Sequence, residues 1–173
     1  GMMPEIEEYM KQRREKLGGP IPERIDSQKE IIVQPKIFSE FDGGTKGTLE
    51  VSTTMAFVKI LRGLMKDKEV GSQVVLIIPD EARTFGMDPL FSEFGIYHPE
   101  GQLYKPVDHK TLMKYKVSNE GQIIQAGINE AGAMSTFIAS AMSYATAGIP
   151  TIPVYTFYSC LLYTSPSPRD EQS

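Results

Sequence analysis

The sequence predicts an α/β fold in which a mostly parallel sheet is flanked by helices. Residues 74–78 (VVLII) form a continuous apolar run, which is typical of a strand buried on both faces of a parallel sheet. Apolar residues recur at helical spacing in 52–66 and again after Asn129. Two further strands are predicted at 121–126 and 151–158. The order helix, strand, loop, strand, helix, strand is an α/β pattern.

The first 50 residues are predicted to be an N-terminal helix and a connector. Residues 4–17 are highly charged with a thin apolar stripe, and Gly18-Gly19-Pro20 ends this helix. Residues 19–50 contain several Pro and Gly and no sustained period, although Ile31-Ile32-Val33 is compatible with a short strand. The folded module is therefore expected to start near residue 51.

The two helices of this module carry recognisable ends. Ser or Thr at 52–54 is a cap for the first, whose apolar face includes Val58 and Leu61. Asn129 is the predicted N-cap of the second, and Gly148 followed by Pro150 is its predicted end. The apolar face of the second helix is predicted to comprise Met134, Phe137, Ile138, Ala141, Met142 and Ala145.

Composition excludes several functional classes. The chain has 173 residues, 40% hydrophobic and 23% charged, which suits one soluble globular domain. A net charge of −4 gives no support to a nucleic-acid or anionic-membrane partner, and no run approaches the length of a membrane span. A single Cys excludes an intramolecular disulfide framework and fits a cytoplasmic protein.

Acidic side chains stand out at two places. Asp80 and Glu81 follow the buried strand 74–78, and ligands of open α/β sheets bind at the carboxyl ends of strands. Glu130 starts the second helix among small residues and is predicted to point along its apolar face. Explanations without a function remain open for both places. Residues 80–81 are compatible with a turn that carries solvated charges, and Glu130 is compatible with a half-solvated first-turn glutamate that interacts favourably with the helix dipole.

A long irregular loop is predicted at 95–116, and such loops are often functional lids. It holds both histidines, His98 and His109, whose spacing does not match a metal site, so each is expected to be solvent-exposed. The sequence has no Walker-type loop, GxGxxG, HExxH or GxSxG motif. The residues alone do not name a reaction.

Three segments together are more specific: 52–71, 77–110 and 121–159. With the motifs DEARTFGM and GINEAGA, they resemble the middle, pyrimidine-binding domain of the homodimeric bacterial pyruvate dehydrogenase E1 component, from about Leu17 to Ser159. The resemblance implies a transketolase-like α/β domain at 51–159 that is truncated.

The resemblance also implies a function. The family decarboxylates pyruvate with thiamine diphosphate and passes the acetyl group to a lipoyl group on the E2 component. Glu130 matches the glutamate that hydrogen-bonds the pyrimidine N1′, Asp80 and Glu81 match an acidic pair lining the same pocket, and Tyr158 matches an aromatic near the pyrimidine. Sharing a proton with N1′ needs a carboxyl in a dry site, where desolvation favours its protonated form; the helix start opposes this.

The chain also departs from the family pattern. The motif that holds the diphosphate and Mg²⁺ in the family is absent, and neither histidine matches a catalytic one, so the chain is expected to be a fragment with half an active site. Residues 160–170 (CLLYTSPSPRD) resemble the translation of a sequencing adapter, so 160–173 is expected to be a non-native, poorly packed tail, against the alternative of a natural Pro/Ser-rich tail.

Other functions remain open from the sequence. One is another thiamine enzyme, such as a transketolase or a different 2-oxoacid dehydrogenase. Another is a non-catalytic module that only supports a dimer interface. Cofactor binding by the parent protein distinguishes this module from the enzymes.

Overall fold

The structure is a computed structural model that describes residues 2–19, 25, 29–44, 47, 50–79, 82–105 and 116–157. Helix α1 spans Pro4–Lys16, which confirms the predicted N-terminal helix. The possible strand at 31–33 was wrong: these residues are irregular and lead into a 3₁₀ turn at Pro35–Ile37. An isolated β-branched triplet has no strand partner here, and Pro35 favours the turn.

In the described residues, five strands form one parallel sheet, which confirms the predicted fold class, although the two short strands at 96–97 and 117–118 were not predicted. The five strands are β1 (Val74–Ile78), β2 (Ile96–Tyr97), β3 (Val117–Ser118), β4 (Ile123–Gln125) and β5 (Ile152–Tyr155). Their order is β3-β2-β4-β1-β5, and every pairing is parallel. Strand β1 is an interior strand between β4 and β5, with Leu76 opposite Ile123 on one side and Val154 on the other. The continuous apolar run of β1 follows from this position, because both of its faces are covered.

Two helices pack on one face of the sheet. Helix α2 (Thr53–Lys66) starts at Ser52, whose Oγ accepts a hydrogen bond from the backbone N–H of Met55 at 3.2 Å. Its buried residues Val58, Leu61 and Met65 join a core with alternate residues of β1. Helix α3 (Asp88–Phe94), which the sequence pattern did not predict, completes this core. Its signal is Pro89 in the first turn, but its seven residues are too few for a clear period.

Helix α4 (Glu130–Ala141) packs on β5 and β1, and α5 (Ser143–Thr146) follows it. The predicted single helix ending at Gly148 is instead divided: α4 ends at Ala141, and Gly148, with a φ of 68°, comes after the end of α5. The predicted apolar face, however, is only partly packed. Ala133 is fully buried and Phe137 is half-buried, whereas Met134, Ile138 and Met142 are 40–50% exposed. The side of α4 that carries Ala133 therefore faces the sheet, and the stripe Met134, Ile138 and Met142 is turned outward.

The chain crosses the backbone of β2 on its way from β3 to β4. Ile96 pairs with Val117 of β3 on one side and with Ile123 of β4 on the other, so the short segment 119–122 must pass over β2. A Cβ on Gly121 would lie only 2.4 Å from the carbonyl carbon of Ile96 and 2.5 Å from the amide nitrogen of Tyr97. Glycine is therefore required at this crossing for lack of space.

An ion-pair cluster joins α2 to α3. Arg62 donates from Nε to Glu93 Oε2 at 2.9 Å and makes a second contact through its terminal nitrogen, while Lys66 lies 3.2 Å from the same carboxylate. The hydrogen bond from Arg62, aided by Lys66, lowers the pKa of Glu93 to about 2 against a smaller opposing effect of burial. The cluster therefore stabilises the fold while Glu93 is ionised.

Glu93→Gln is expected to lower the free energy of unfolding of this chain by about 1–2 kcal/mol at pH 7, a value reduced for the partial exposure of the cluster. A lowered pKa contributes stability above the ordinary value of 4.5, and this contribution is lost as the pH falls toward 2. Urea unfolding at several pH values measures it. Glu120→Gln, at an exposed turn position, is the control. A difference that persisted unchanged at pH 2 would contradict the ion-pair explanation.

Candidate functional site

The carboxyl ends of β4, β1 and β5 are held together at one edge of the sheet. Beyond β4, the N–H of Ala126 donates to the carbonyl of Ile78 at 2.8 Å. Beyond β5, the N–H of Thr156 donates to the carbonyl of Ile77 at 3.2 Å. Because the strands are parallel, the segments that follow them all leave from this edge, which is where ligands bind in open α/β sheets.

A tight turn connects β4 to α4. Gly127 has a φ of 70°, and the N–H of Asn129 donates to its carbonyl at 2.8 Å. Asn129 is the N-cap, as predicted: its Oδ1 accepts from the N–H of Gly132 at 3.0 Å. A Cβ on Gly132 would lie 2.8 Å from the Asn129 side-chain nitrogen, so glycine makes room for the cap. The turn fixes where the first residue of α4 lies.

That first residue, Glu130, is 4% exposed, and it is one of two buried polar or charged side chains in the described part of the chain. It shares its buried side with Ala133 and does not follow the exposed stripe that begins at Met134. The half-solvated alternative was therefore wrong, and Glu130 points along the inward part of the predicted apolar face, which includes Phe137. The first turn of α4 abuts the sheet edge, and this contact decides the direction of Glu130.

Tyr155, the last residue of β5, and Phe157, two residues after it, form an aromatic pair at the same edge of the sheet as this acid, and neither was predicted as a site residue. Ile152 and Val154 pack in the α2–α3 core, so strand alternation puts Tyr155 on the α4 face. Its ring stacks on Phe157, with 4.9 Å between ring centroids. Burial raises the pKa of Tyr155, and the negative charge of Glu130 raises it further. The spacing of Tyr155 and Phe157, two residues apart on the predicted strand 151–158, could have indicated that the two rings share a face.

The other predicted site residues lie outside the described residues. Asp80 and Glu81 come two and three positions after the last residue of β1, and Tyr158 comes three after the last residue of β5. Their roles, like that of Glu130, stay predictions. The described neighbours Pro79 and Ala82 are buried, so the segment that carries the acidic pair starts and ends against the core.

The predicted loop at 95–116 starts with β2, and its residues 106–115, including His109, lie outside the described residues. His98 was expected to be solvent-exposed but is half-buried. It lines a cavity of about 290 Å³ between β2 and the following loop, whose residues cover part of its ring. Its Nδ1 accepts from the N–H of Glu100 at 3.3 Å. A role for this loop as a lid stays a prediction.

The described ranges of the chain contain no group of three His, Cys, Asp or Glu side chains placed to hold a metal ion. None of their helices combines the length and apolarity needed to cross a membrane.

A five-stranded parallel sheet with helices on its faces defines an α/β domain of the transketolase-like kind. Residues 30–166 match the family model described as the pyruvate dehydrogenase E1 component middle domain. The chain belongs to this family. The match includes residues 160–166, so the origin of the C-terminal segment stays a prediction.

Relatives with curated names agree with this assignment. The chain is 54% identical over 155 residues to the pyruvate dehydrogenase E1 component of Cupriavidus necator, covering 88% of this chain and 17% of the relative. It is 49% identical to the proteins of the same name from Pseudomonas aeruginosa, over 153 residues, and Corynebacterium glutamicum, over 158 residues. These matches cover 87% and 90% of this chain. The chain spans 17% of the length of each of these relatives.

Proposed function

We propose that this chain is the part of a pyruvate dehydrogenase E1 component that holds the aminopyrimidine ring of thiamine diphosphate. One observation carries the proposal: Glu130 is buried at the start of α4, beside the edge where three parallel strands end. Burying a carboxyl is costly, so an acid in this position at the edge of a parallel sheet suggests a functional role. Family membership supports the same assignment.

The described residues fit the ring end of this cofactor. Glu130 offers a carboxyl shielded from water, and the small side chains of Ala126 and Gly127 leave room for a flat ring above the strand ends. We assign Asp80, Glu81 and Tyr158 to the same pocket, on the strength of their matches to the family motifs. When bound, the cofactor supplies the carbanion chemistry through its own 4′-amino group. Glu130 holds and releases the proton at the ring nitrogen N1′.

The other components come from outside this chain. The full-length enzyme is proposed to decarboxylate pyruvate and to pass the acetyl group to the lipoyl domain of E2. Mg²⁺ and the diphosphate are proposed to bind residues of the N-terminal domain, since the chain lacks the motif that holds them in the family. We assign the enzyme to the cytoplasm, a compartment that a lone Cys fits.

The outward stripe of α4 supports a homodimer. Met134, Ile138 and Met142 are 40–50% exposed along one side of α4, and an exposed apolar stripe of this kind is typical of a protein interface, which a second copy would cover. In the full-length enzyme, Ile138→Glu is expected to raise the dimer dissociation constant at least about tenfold, because it buries an unpaired charge. Ile6→Glu, at an exposed position of α1, is the control. Sedimentation equilibrium measures both, and an unchanged dimer in Ile138→Glu would rule out this interface.

Pyruvate decarboxylation by the full-length enzyme tests the proposed function. Carbon dioxide release is expected with thiamine diphosphate and Mg²⁺, and acetylation is expected on an added lipoyl domain. Glu130→Gln is expected to lose most of the rate, and Glu120→Gln is expected to keep it. Cofactor binding without any decarboxylation would instead favour the non-catalytic interface module.

The 173-residue chain by itself is expected to show no decarboxylation and no tight Mg²⁺-dependent cofactor binding. Ring contacts alone leave the charged diphosphate without partners, and charged groups contribute much of the specificity of such sites. Calorimetric titration with thiamine diphosphate and Mg²⁺ measures this, with the full-length enzyme as the positive control. Micromolar binding by the chain alone would reveal a diphosphate site within these residues.

A further inference from the structure

Tyr155 has an unusual position among the tyrosines of this chain. It lies on the α4 face of β5, opposite Ile77 of β1, and α4 packs on both of these strands. Its hydroxyl oxygen is shielded from water and makes no hydrogen bond within the part of the chain that the structure describes. A shielded hydroxyl without a partner destabilises a fold. The ring, by contrast, is well placed on Phe157.

A buried acid lies at the same edge of the sheet. Glu130 is the first residue of α4, which packs on β5, and Tyr155 is the last residue of β5, so both side chains lie where the strands end. Burial raises the pKa of Tyr155, and the negative charge of Glu130 raises it further. The phenol therefore stays protonated across the physiological pH range and keeps an O–H dipole that can rotate.

We propose that Tyr155 is a positioning residue for Glu130: its buried O–H dipole turns toward the carboxylate and favours the ionised over the protonated form. This inference rests on the proposed function, in which Glu130 releases a proton to a ring nitrogen. The proton leaves the carboxyl oxygen for that nitrogen, a carboxylate remains, and Tyr155 stays neutral throughout. In a site with little water, a nearby dipole is worth more than it is at the surface. Tyr155 would thus ease the release of the proton without touching the ligand.

Other titratable groups belong to the same edge. Asp80 and Glu81 follow β1, Tyr158 follows β5, and the structure does not describe their side chains. The test must therefore follow single groups and not the summed titration of the protein. Carboxyl-carbon resonances of glutamate and ring-carbon resonances of tyrosine allow this, once each is assigned by substitution.

The experiment is a ligand-free NMR titration of the 173-residue chain. The Glu130 carboxyl resonance is identified by its loss in Glu130→Gln, and its titration midpoint is measured in the unmodified chain and in Tyr155→Phe. Tyr155→Phe keeps the ring stack and removes only the hydroxyl. The midpoint is expected to move to higher pH by about 0.5–1 unit, because the carboxylate loses a stabilising dipole. Tyr9→Phe, an exposed tyrosine of α1, is expected to leave it unchanged.

A second measurement keeps the proposal testable if Tyr155→Phe does not fold. In the unmodified chain, the ring-carbon resonance next to the Tyr155 oxygen is expected to move as Glu130 ionises, and this movement is expected to vanish in Glu130→Gln. An unmoved Glu130 midpoint in Tyr155→Phe, or a Tyr155 resonance indifferent to Glu130, would overturn the proposal. Neither result involves the cofactor. A failure here would thus leave the assignment of the cofactor site standing, and a failed cofactor titration would leave the coupling of Tyr155 to Glu130 standing.

Discussion

Glu130→Gln in the full-length enzyme is expected to slow hydrogen–deuterium exchange at C2 of bound thiamine diphosphate by about 10²–10⁴-fold. The amide has the shape of the carboxyl but cannot share an acidic proton with N1′. The fold and much of the cofactor affinity are expected to persist, because the Asn129 cap and the Gly127 turn that position this residue do not depend on its charge. Quenched-flow NMR of the bound cofactor measures the exchange rate.

Two variants make this result specific. Glu81→Gln is expected to slow the exchange less, since its proposed role is to shape the pocket. Glu120→Gln removes a carboxylate at an exposed position and is expected to have no effect. Exchange in Glu130→Gln at the rate of the unmodified enzyme would make the central assignment wrong, however well the family motif matches.

Gly121→Ala is expected to lower the free energy of unfolding of the chain by about 3 kcal/mol. The new methyl group would lie 2.4–2.5 Å from backbone atoms of Ile96 and Tyr97, whereas ordinary contacts start at 3.4 Å. These atoms cannot rotate away as a side chain can, because Ile96 pairs with strands on both of its sides. The crossing segment must therefore move outward by about 1 Å, and β4 is expected to move with it.

Urea unfolding measures the effect, and Gly43→Ala is the matched control because no heavy atom lies within 4 Å of a Cβ built there. A displacement of β4 also moves the turn that leads to Glu130. Misplacement of a reacting group by about 1 Å can cost a factor of 10² in rate. We therefore expect Gly121→Ala to slow C2 exchange in the full-length enzyme even where it remains folded. A variant as stable as Gly43→Ala would show that the crossing is looser than the structure indicates.

Local signals were sufficient for most elements of the fold. The run 74–78 predicted a parallel strand that is covered on both faces, because only such a strand can be apolar at every position. Ser52 and Asn129 predicted the starts of α2 and α4 because a cap needs only residues within one helical turn. Helix α3 escaped prediction because seven residues carry little periodicity, and the strand at 31–33 was wrong because strands require a partner that the triplet lacks.

The sequence by itself determined the fold class, the family motifs and the presence of an acid at the start of α4. Only the tertiary structure decided which way that acid points, because helical spacing defines a face but not what covers it. The same limit explains why the stripe from Met134 to Met142 was expected to be a packed face and proved exposed. Tyr155 became a neighbour of Glu130 only through the pairing of β5 with β1 and the packing of α4 across them. Contacts between residues distant in the chain depend on strand order and packing, which no local pattern encodes.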